Sequence, residues 1–430
     1  MLQFKTYIPE GVSDIHWDEY EAKDKVIMHI KKRFKSFGYR QILTPTFEYY
    51  DLFAGVDGTI HRDEMFKFID GNGKILVLRP DVTVPIARMA ATSYGASKGY
   101  LKFSYIANVF RISEEQSGNK REFMQAGIEY LGSEKPDADA EIVAVGIKTL
   151  IDSGLKNFQI DLGQAAYFKG LMTELDMGKE KKDYIRKLIE EKNFAELTNM
   201  LKTLDMEETI KNVILRIPSL YGEPVEVIAH AKTLAINEKM KRAVDYLQEV
   251  YDILKDYGYQ KYVTIDFGLV NHLDYYSGVI FKGYVHNYGK SLISGGRYDN
   301  LTKQYGEAIP ATGLGINIDE LMEVIEMNST QKAATCYTDY LILYNSQKRG
   351  EAFELAENLR NKGYIVECDL NEEDIKKQIK NADFRNIKEI IQFTEENLKI
   401  INIRNNQIRK NTSIQFLKSL ETQEVFFSIH

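Results

Sequence analysis

Apolar residues recur at helical spacing near the start of the chain, among many charged positions. Between residues 18 and 37 they fall on one helical face, at Val26, Ile27, Ile30 and Phe34. Gly38 follows directly, and glycine commonly lies just beyond a helix because it tolerates a left-handed backbone. The pattern predicts an amphipathic helix that ends at Gly38.

A second pattern, short apolar runs separated by Gly, Asn and Asp, predicts β-strands. The runs lie at residues 39–48, 74–78, 101–110, 123–131, 158–162, 262–267 and 278–284. Pro45 cannot donate to a strand ladder, so the first run is expected at a sheet edge or an interface. Because the strands do not alternate regularly with helices, they favour an antiparallel sheet. Helical patterns at residues 138–153 and 319–327 would cover it, which gives an α+β fold.

Two regions depart from this layout. Residues 176–258 are almost continuously helical and dense in Lys and Glu, which predicts an inserted helical subdomain with solvated charged faces. After a polar stretch at residues 327–332, strand and helix patterns alternate and predict a small α/β domain. We therefore expect one domain over residues 1–328 and a second over residues 329–430.

The composition is that of an ordinary globular protein, with 44% hydrophobic and 28% charged residues. A formal net charge of −7 argues against a broad nucleic-acid surface. The first residues lack the apolar run of a signal peptide, and no stretch approaches the roughly 18 apolar residues of a membrane span. A cytoplasmic location is therefore expected. Cys336 and Cys368 are too few for a disulfide framework or a zinc site, and neither a metal nor a cofactor is indicated.

Candidate binding chemistry lies in polar side chains near the predicted strands. A free amino acid offers an ammonium and a carboxylate, so its pocket needs acceptors at one end and a cation at the other. Asp81 and Thr83 follow a predicted strand and are suited to accept from an ammonium. Gln125 and Glu129 are four apart, which places both on one face of a strand. On spacing alone, solvent-facing positions are the simpler interpretation of this pair.

Four motifs together resemble the histidine-binding core of histidyl-tRNA synthetases. They are Arg79-Pro80-Asp81-Val82-Thr83, the stretch from Phe110-Arg111 through Arg121-x-Phe123-x-Gln125-x-Gly127-x-Glu129, Leu273-Asp274-Tyr275-Tyr276-Ser277-Gly278 and Gly295-Gly296-Arg297-Tyr298-Asp299. Taken singly, the paired tyrosines fit ordinary packing and the paired glycines fit a tight turn. Their order and separation make the combined match specific, from about residue 8 to residue 321. The resemblance implies a class II synthetase-like antiparallel sheet flanked by helices.

The resemblance also implies histidine-binding roles for matched positions. These are Asp81, Thr83 and Gln125 for the ammonium, Arg111 for the carboxylate, Glu129 and Tyr276 for the imidazole, and Tyr275 beside them. Asp81 departs by one methylene from the family's usual Glu. An acid and a phenol on opposite sides of an imidazole can read both ring nitrogens. A ligand without those nitrogens would leave both groups buried and unpaired, at about 1 to 3 kcal/mol each.

The positions that would handle a nucleotide depart from the synthetase pattern. Asn271 and Glu320 stand where that pattern has two catalytic arginines, and Ser113 and Glu114 replace a Glu and an Arg of the adenine subsite. Activation needs cations aimed at the reacting phosphate, and loss of one preorganised donor commonly lowers a rate about a hundred- to a thousandfold. Added carboxylates would also repel ATP. The chain is expected to bind histidine without activating it.

This combination of traits resembles the family of ATP phosphoribosyltransferase regulatory subunits, which are similar to histidyl-tRNA synthetases. The resemblance implies a non-catalytic subunit that a short catalytic subunit requires for activity. It also implies histidine feedback inhibition of the first step of histidine biosynthesis. A homodimer formed around Pro45 and a hetero-oligomer, with four copies of each subunit, are further expectations.

Two other functions stay open at this stage. One is a histidyl-tRNA synthetase with an unusual phosphate site. Three residues argue against this function: Glu114, Asn271 and Glu320. Histidine-dependent exchange of pyrophosphate into ATP would identify it. The other is a pseudo-synthetase that binds tRNA through its C-terminal domain, against which the net acidity counts. Salt-dependent tRNA binding would identify that one.

Overall fold

We describe the protein from a computed structural model. The structure describes residues 6–55, 60–95, 99–112, 120–270, 275–328, 337–370, 374–395, 397–405, 407–412 and 415–417. The chain forms two compact units, Met1–Asn328 and Ser329–His430. The described residues of the two units form separate sheets and separate apolar clusters.

The first unit has twelve strands among its described residues, and nine of them form one large sheet. Its strands are β1 (Arg40–Gln41), β2 (Phe47–Tyr49), β3 (Lys67–Ile69), β4 (Ile75–Leu78), β5 (Leu101–Phe110), β6 (Glu122–Leu131), β7 (Phe158–Gln164), β8 (Tyr221–Gly222), β9 (Val263–Asp266), β10 (Val279–Val285), β11 (Ser291–Arg297) and β12 (Ala311–Asn317). All but β2, β3 and β4 join one nine-stranded sheet, ordered β1-β5-β6-β12-β11-β10-β7-β9-β8. The strands from β5 to β7 in this order are antiparallel, as predicted. The pairs β1 with β5 and β7 with β9 are parallel.

Helices flank this sheet and confirm the α+β class. They are α1 (Trp17–Ser36), α2 (Asp51–Ala54), α3 (Thr83–Met89), α4 (Pro136–Asp152), α5 (Ala165–Met172), α6 (Lys179–Glu190), α7 (Phe194–Lys202), α8 (Glu208–Arg216), α9 (Pro224–Leu234), α10 (Glu238–Asp256) and α11 (Ile318–Asn328). Gly38 follows α1 with a φ of 85°, as the sequence predicted. None of the helices in the described ranges has both the length and the apolar character needed to cross a membrane.

The two faces of the large sheet bury different cores. On one face, Ile128 of β6 and Leu314 of β12 pack with Ile147 of α4 in the larger core. On the other face, Phe103 of β5 packs with Ile86 of α3. Successive residues of a strand point to opposite faces, so the polar positions of β6 that alternate with its core residues lie on the α3 face.

Residues 39–48 form two strands and not the single strand predicted. β1 pairs with β5 at the edge of the large sheet, whereas β2 pairs with β4 in a separate three-stranded sheet ordered β2-β4-β3. Pro45 lies between β1 and β2. Proline has no N–H to donate to a strand ladder, so a break in the strand is expected at this residue. The prediction of a sheet edge is confirmed, whereas the prediction of one continuous strand over residues 39–48 is wrong.

The predicted helical insert holds α6 to α10 and is continuous with the main core. Val244 and Leu247 of α10 belong to the same apolar cluster as Ile147 of α4. Strand β8, which lies between α8 and α9, pairs with β9 and forms the far edge of the large sheet. The insert is therefore anchored to the sheet by both apolar packing and strand pairing.

The paired glycines Gly295 and Gly296 lie within β11, so the turn suggested by their composition is wrong. A Cβ on Gly295 would overlap the carbonyl oxygen of Gly313 on β12, and a Cβ on Gly296 would lie 2.5 Å from the carbonyl oxygen of Val279 on β10. Gly296 also has a φ of 154°. The close approach of the neighbouring strands therefore requires glycine at both positions.

The second unit is a small α/β domain, as predicted. Its elements are β13 (Thr338–Tyr344), α12 (Arg349–Asn361), β14 (Val366–Leu370), α13 (Ile375–Phe384), β15 (Ile387–Phe393), β16 (Leu398–Asn402) and β17 (Ile408–Asn411). The strand order is β14-β13-β15-β16-β17. Leu355 of α12 packs against Ile342, and Ala382 of α13 packs in a separate cluster with Leu341. Because Leu341 and Ile342 point to opposite faces, one helix covers each side of the sheet.

Lys192, in the connection between α6 and α7, fixes the insert to the sheet from a left-handed backbone position. Its φ is 51°, and this conformation costs a non-glycine residue about 1 to 2 kcal/mol. The Lys192 ammonium lies 3.0 Å from Oδ2 of Asp266 on β9 and 4.6 Å from the centre of the Tyr221 ring on β8. The ion pair is partly exposed, so it contributes about 0 to 1 kcal/mol against this backbone strain.

We predict that Lys192→Gly is more stable than Lys192→Ala by about 1 kcal/mol, because both variants lose the ion pair and only glycine relieves the strained backbone. Urea unfolding of the two variants measures this difference. Lys187, inside α6, provides the control, since the same exchange there should favour alanine by about 1 kcal/mol. A Lys192→Ala variant as stable as Lys192→Gly would contradict the strain.

Candidate functional site

The candidate site lies on the α3 face of the large sheet and is centred on Glu129 of β6. Strand pairing places Glu129 between Phe103 of β5 and Gly313 of β12. Glu129 is 1% exposed. Its Oε1 accepts a hydrogen bond from the Thr83 hydroxyl at 2.8 Å, and its Oε2 accepts one from the Tyr298 hydroxyl at 2.5 Å. The solvent-facing interpretation of Glu129 is therefore wrong.

Burial raises the pKa of the Glu129 carboxyl group to about 8. The Tyr298 and Thr83 hydroxyls lower the pKa because they donate to the ionised form, and the charge of Asp81 raises it. A carboxyl group with this pKa is mostly protonated at neutral pH but ionises at a small energetic cost. An ionised carboxylate offers about four lone-pair sites, so a further donor can bind beside the two hydroxyls.

Glycines on β12 make room for polar side chains to lie along the sheet. A Cβ on Gly313 would overlap the Glu129 carboxylate, and a Cβ on Gly315 would lie 2.8 Å from the Gln125 side-chain nitrogen. Gly313 pairs directly with Glu129, while Asn317 of the same strand pairs with Gln125. Side chains at Gly313 and Gly315 would therefore displace Glu129 and Gln125 from their positions on this face.

Gln125 extends the polar row that begins at Glu129. Its Oε1 accepts a hydrogen bond from the Tyr105 hydroxyl at 2.9 Å. Tyr105 is buried on β5, and a Cβ on Gly127, which pairs with Tyr105, would overlap the tyrosine ring. Tyr105 thus positions the Gln125 amide on the same face as Glu129.

Asp81 and Arg111 add one negative and one positive charge. Asp81 Oδ1 accepts a hydrogen bond from the backbone N–H of Val84 at 2.9 Å, at the start of α3. Arg111 Nε donates to the Pro80 carbonyl oxygen at 2.8 Å, and its guanidinium lies 5.5 Å from the centre of the Phe123 ring. Burial raises the pKa of Asp81, and the positive charge of Arg111 opposes this rise. A carboxylate and a guanidinium near each other suit a zwitterionic ligand.

Tyr275 and Tyr276 are fixed by a contact between two of the sequence motifs. The Ser277 hydroxyl donates to Oδ2 of Asp299 at 2.7 Å. The ring centres of Tyr275 and Tyr276 are 4.6 Å apart, and those of Tyr275 and Tyr298 are 6.0 Å apart in an edge-on arrangement. The motif around Tyr275 therefore packs directly against the motif that supplies Tyr298 to Glu129.

The structure brings the predicted residues to one face. Burial raises the pKa of the Tyr276 hydroxyl, and the charges of Asp81 and Glu129 add to the rise. Sequence reasoning missed the two hydroxyl donors Tyr298 and Tyr105. Tyr298 could have been found, because it lies inside the motif at residues 295–299. Tyr105 lies in a strand rich in aromatic and β-branched residues, where a tyrosine is common and does not by itself indicate a binding role.

Of the departures from the synthetase pattern, Glu320 can be placed in the structure. Ser113, Glu114 and Asn271 lie outside the described residues. Glu320 lies in the first turn of α11, and its Oε1 is 2.9 Å from the Lys290 ammonium. Burial raises the pKa of the Glu320 carboxyl group. This position therefore carries a half-buried carboxyl group paired with a lysine.

Comparison with known proteins first defines the class. The sequence matches the family model for histidyl-tRNA synthetase over residues 11–321 and that for an anticodon binding domain over residues 339–422. The crystal structure of histidyl-tRNA synthetase from Nostoc sp. PCC 7120 has a TM-score of 0.80 with 18% identity, over 98% of this chain and 100% of that chain. At this identity the likeness shows the fold alone. The fold is that of a class II histidyl-tRNA synthetase.

More similar proteins define the family. The ATP phosphoribosyltransferase regulatory subunits of Acetivibrio thermocellus and Ruminiclostridium cellulolyticum are each 38% identical to this chain, over 97% of it and over 100% and 99% of their own lengths. The structure of an ATP phosphoribosyltransferase regulatory subunit/histidyl-tRNA synthetase from Bacillus halodurans C is 32% identical, with a TM-score of 0.81 over 90% of this chain and 98% of that chain. The chain belongs to the ATP phosphoribosyltransferase regulatory subunit family.

We predict that Glu129→Gln changes how stability depends on pH. The pKa of Glu129 is about 8 in the folded protein against an ordinary value of 4.5. Between these values the unfolded chain releases the proton and the folded chain keeps it, so the wild type loses stability as pH rises. The amide side chain of the variant does not titrate. The free energy of unfolding of the variant minus that of the wild type should therefore increase from about pH 4.5 to about pH 8. Urea unfolding at several pH values measures it, and a difference that is flat or decreasing would contradict the raised pKa.

Proposed function

We propose that this chain is the non-catalytic subunit of an ATP phosphoribosyltransferase and senses L-histidine. In this proposal a short catalytic subunit requires the chain for activity, and histidine bound to the chain inhibits the first step of L-histidine biosynthesis. The observation that carries the ligand assignment is the buried Glu129 carboxyl group, held by Thr83 and Tyr298 in a space lined by glycine. Membership in the regulatory subunit family supports the assembly.

The amino-acid part of histidine matches the charges around α3. The Thr83 hydroxyl donates a hydrogen bond to Glu129 and keeps lone pairs that can accept a hydrogen bond from an ammonium group. Asp81 supplies a negative charge to the same group, and Gln125 supplies an amide oxygen. Arg111 supplies the cation for the carboxylate, with a planar fork suited to two parallel hydrogen bonds.

The imidazole of histidine matches Glu129 and Tyr276. A carboxyl group with a pKa of about 8 can accept from a ring N–H when ionised or donate to a ring nitrogen when protonated. The Tyr276 hydroxyl can serve the second ring nitrogen. An amino acid without ring nitrogens would leave these buried groups unpaired, which supports selectivity for histidine.

The nucleotide half of the site supports a role without catalysis. By resemblance, Asn271 and Glu320 replace the arginines that would stabilise a reacting phosphate. Glu320 pairs with Lys290, so the lysine charge near this position is already compensated. A carboxyl group at this position opposes the approach of a triphosphate.

An exposed aromatic face supports a homodimer formed through the class II interface. Phe47 and Tyr49 of β2 are 55% and 52% exposed, and Phe68 of β3 is 39% exposed. The Phe47 and Phe68 rings lie 6.1 Å apart and form one apolar surface beside Pro45. Contiguous exposed apolar surface commonly marks an interface. A hetero-oligomer of four chains with four catalytic subunits would be built from such dimers.

Feedback inhibition requires that histidine bind one arrangement of the assembly more tightly than another. The ratio of the two affinities sets the largest possible inhibition. Since histidine would bridge α3, β6 and the loop at Tyr276, its binding restrains three parts of the first unit together. This supports a ligand-dependent difference between arrangements.

We predict that Glu129→Gln raises the histidine concentration needed for half-inhibition of the reconstituted complex about tenfold to a hundredfold, because an amide cannot reproduce the titrating carboxyl group. Rates are measured with the short catalytic subunit and normalised to each complex without histidine. Glu141→Gln on α4 is the matched control, since Glu141 binds Tyr39 and Lys102 away from the site. Unchanged inhibition in Glu129→Gln, or full catalytic activity without this chain, would overturn the proposal.

A further inference from the structure

A buried ion pair lies on the α4 face of the large sheet, on the opposite side from the candidate site. It joins Arg297, the last residue of β11, to Asp139 of α4, and the Arg297 Nε donates to Asp139 Oδ2 at 2.9 Å. The two side chains are 5% and 2% exposed. The next residue, Tyr298, points to the α3 face, where its hydroxyl donates to Glu129. The histidine assignment uses Tyr298 but does not use this ion pair.

We infer that Arg297 is a positioning residue of the candidate site, which holds Tyr298 against Glu129 and the Tyr276 loop beside them by fixing the end of β11 to α4. Its effect on histidine binding rests on the proposed function, whereas its effect on Tyr298 does not. Arg297 acts through these residues and does not itself bind the ligand.

The contacts of Arg297 extend in several directions. Its Nη1 donates to the Ser133 carbonyl oxygen at 2.8 Å and to Asp299 Oδ1 at 3.0 Å, and its Nη2 lies 3.4 Å from the Lys135 carbonyl oxygen. Ser133 and Lys135 lie just before α4. Because the guanidinium is planar and carries its donors in a fixed fork, these acceptors set both its position and its orientation. A lysine has a single ammonium group and cannot reproduce the fork.

The anchored end of β11 also holds the loop that carries Tyr276. The Ser277 backbone N–H donates to the Arg297 carbonyl oxygen at 2.7 Å. The Ser277 hydroxyl donates to Oδ2 of Asp299 at 2.7 Å, while Oδ1 of Asp299 accepts from Arg297. A Cβ on Gly278 would lie 3.0 Å from Cδ of Arg297, so the arginine side chain packs directly against the loop. The position of Tyr276 therefore depends on the position of Arg297.

The helical insert contributes Tyr246 of α10 to the ion pair. The Tyr246 hydroxyl donates to Oδ2 of Asp139 at 2.6 Å, and its ring centre lies 5.9 Å from the guanidinium carbon of Arg297. Oδ2 thus accepts from the insert and from β11 together. Because Tyr246 orients the carboxylate toward Arg297, loss of its hydroxyl should loosen the anchor without leaving a buried charge unpaired.

The titration of Glu129 reports where the Tyr298 hydroxyl lies, and it does so without a ligand. Burial raises the pKa of Glu129 to about 8, and the hydrogen bond from Tyr298 opposes this rise. Displacement of Tyr298 should therefore raise the pKa further. The variants described below leave unchanged the other charged and titratable groups around the site, namely Tyr39, Asp81, Tyr105, Arg111, Tyr275 and Tyr276.

Two variants of the full chain weaken the anchor, and each has a matched control. Arg297→Lys keeps the positive charge and loses the fork, whereas Tyr246→Phe loses one hydroxyl. Arg33→Lys makes the same exchange in an ion pair with Asp152, at the other end of α4. Tyr167→Phe removes another buried hydroxyl, which donates to a backbone carbonyl oxygen of α9 at 3.1 Å.

The first measurement follows the infrared C=O stretch of the protonated Glu129 carboxyl group against pH, assigned by its absence from Glu129→Gln. We expect the titration midpoint to rise by about half a pH unit or more in Arg297→Lys and by less in Tyr246→Phe. Both controls should titrate as the wild type does. A role in stability alone would lower the free energy of unfolding and leave this midpoint unchanged.

The second measurement is a calorimetric titration of each variant with L-histidine. We expect binding about tenfold weaker in Arg297→Lys and about threefold weaker in Tyr246→Phe, because the groups that surround the ligand are less precisely held. Both controls should bind histidine with the affinity of the wild type.

The inference is wrong where the midpoint in Arg297→Lys does not rise, or where the controls shift as much. Should circular dichroism show that Arg297→Lys does not fold, the midpoint in Tyr246→Phe decides in the same way. A raised midpoint in a chain that does not bind histidine would support the positioning role and contradict the proposed function. Equal histidine affinity and equal midpoints in the wild type and both anchor variants would overturn the positioning role and leave the proposed function intact.

Discussion

The structure of the candidate site depends on one buried carboxyl group, that of Glu129, and on the hydroxyls that hold it. A carboxyl group with 1% exposure is tolerated only where hydrogen bonds replace water. Thr83 and Tyr298 supply these bonds from α3 and from the residue that follows β11. Gly313 supplies the space, since any larger residue would overlap the carboxylate. The burial of Glu129 therefore depends on three separate segments of the chain, which supply Thr83, Tyr298 and Gly313 around it.

The opposite face of the same sheet makes this register possible. Ile128, the neighbour of Glu129, lies in the large apolar core with α4, and each such buried side chain contributes about 1.5 to 3 kcal/mol. Because strand residues alternate between faces, packing Ile128 into the core fixes Glu129 on the α3 side. The insert adds to this restraint through α10 in the core and through Lys192 at the sheet edge. Apolar packing on one face of the sheet thus stabilises the fold, and the polar side chains of the candidate site lie on the other face.

The sequence predicted the elements whose pattern is unbroken and failed where close approach between strands decided the conformation. The sequence predicts strand β5 at its full length, because residues 101–110 are rich in aromatic and β-branched residues and contain neither glycine nor proline. The sequence does not predict β11 and β12, because glycines interrupt their apolar pattern, and the Gly295-Gly296 pair favours a turn. Periodicity alone favoured a solvent-facing Glu129, and the motif match reversed that interpretation. Tyr105 was missed because a hydroxyl inside an apolar strand gives no sequence signal.

The most direct measurement of the central claim is a calorimetric titration of the purified chain with L-histidine, repeated on Glu129→Gln at matched pH. The account predicts one saturable histidine site per chain in the wild type. It predicts that the variant binds histidine about tenfold or more weakly, because the carboxyl group proposed to bind the imidazole is gone. A wild-type chain that gives no histidine binding would contradict the account. So would a Glu129→Gln chain that binds histidine as tightly as the wild type.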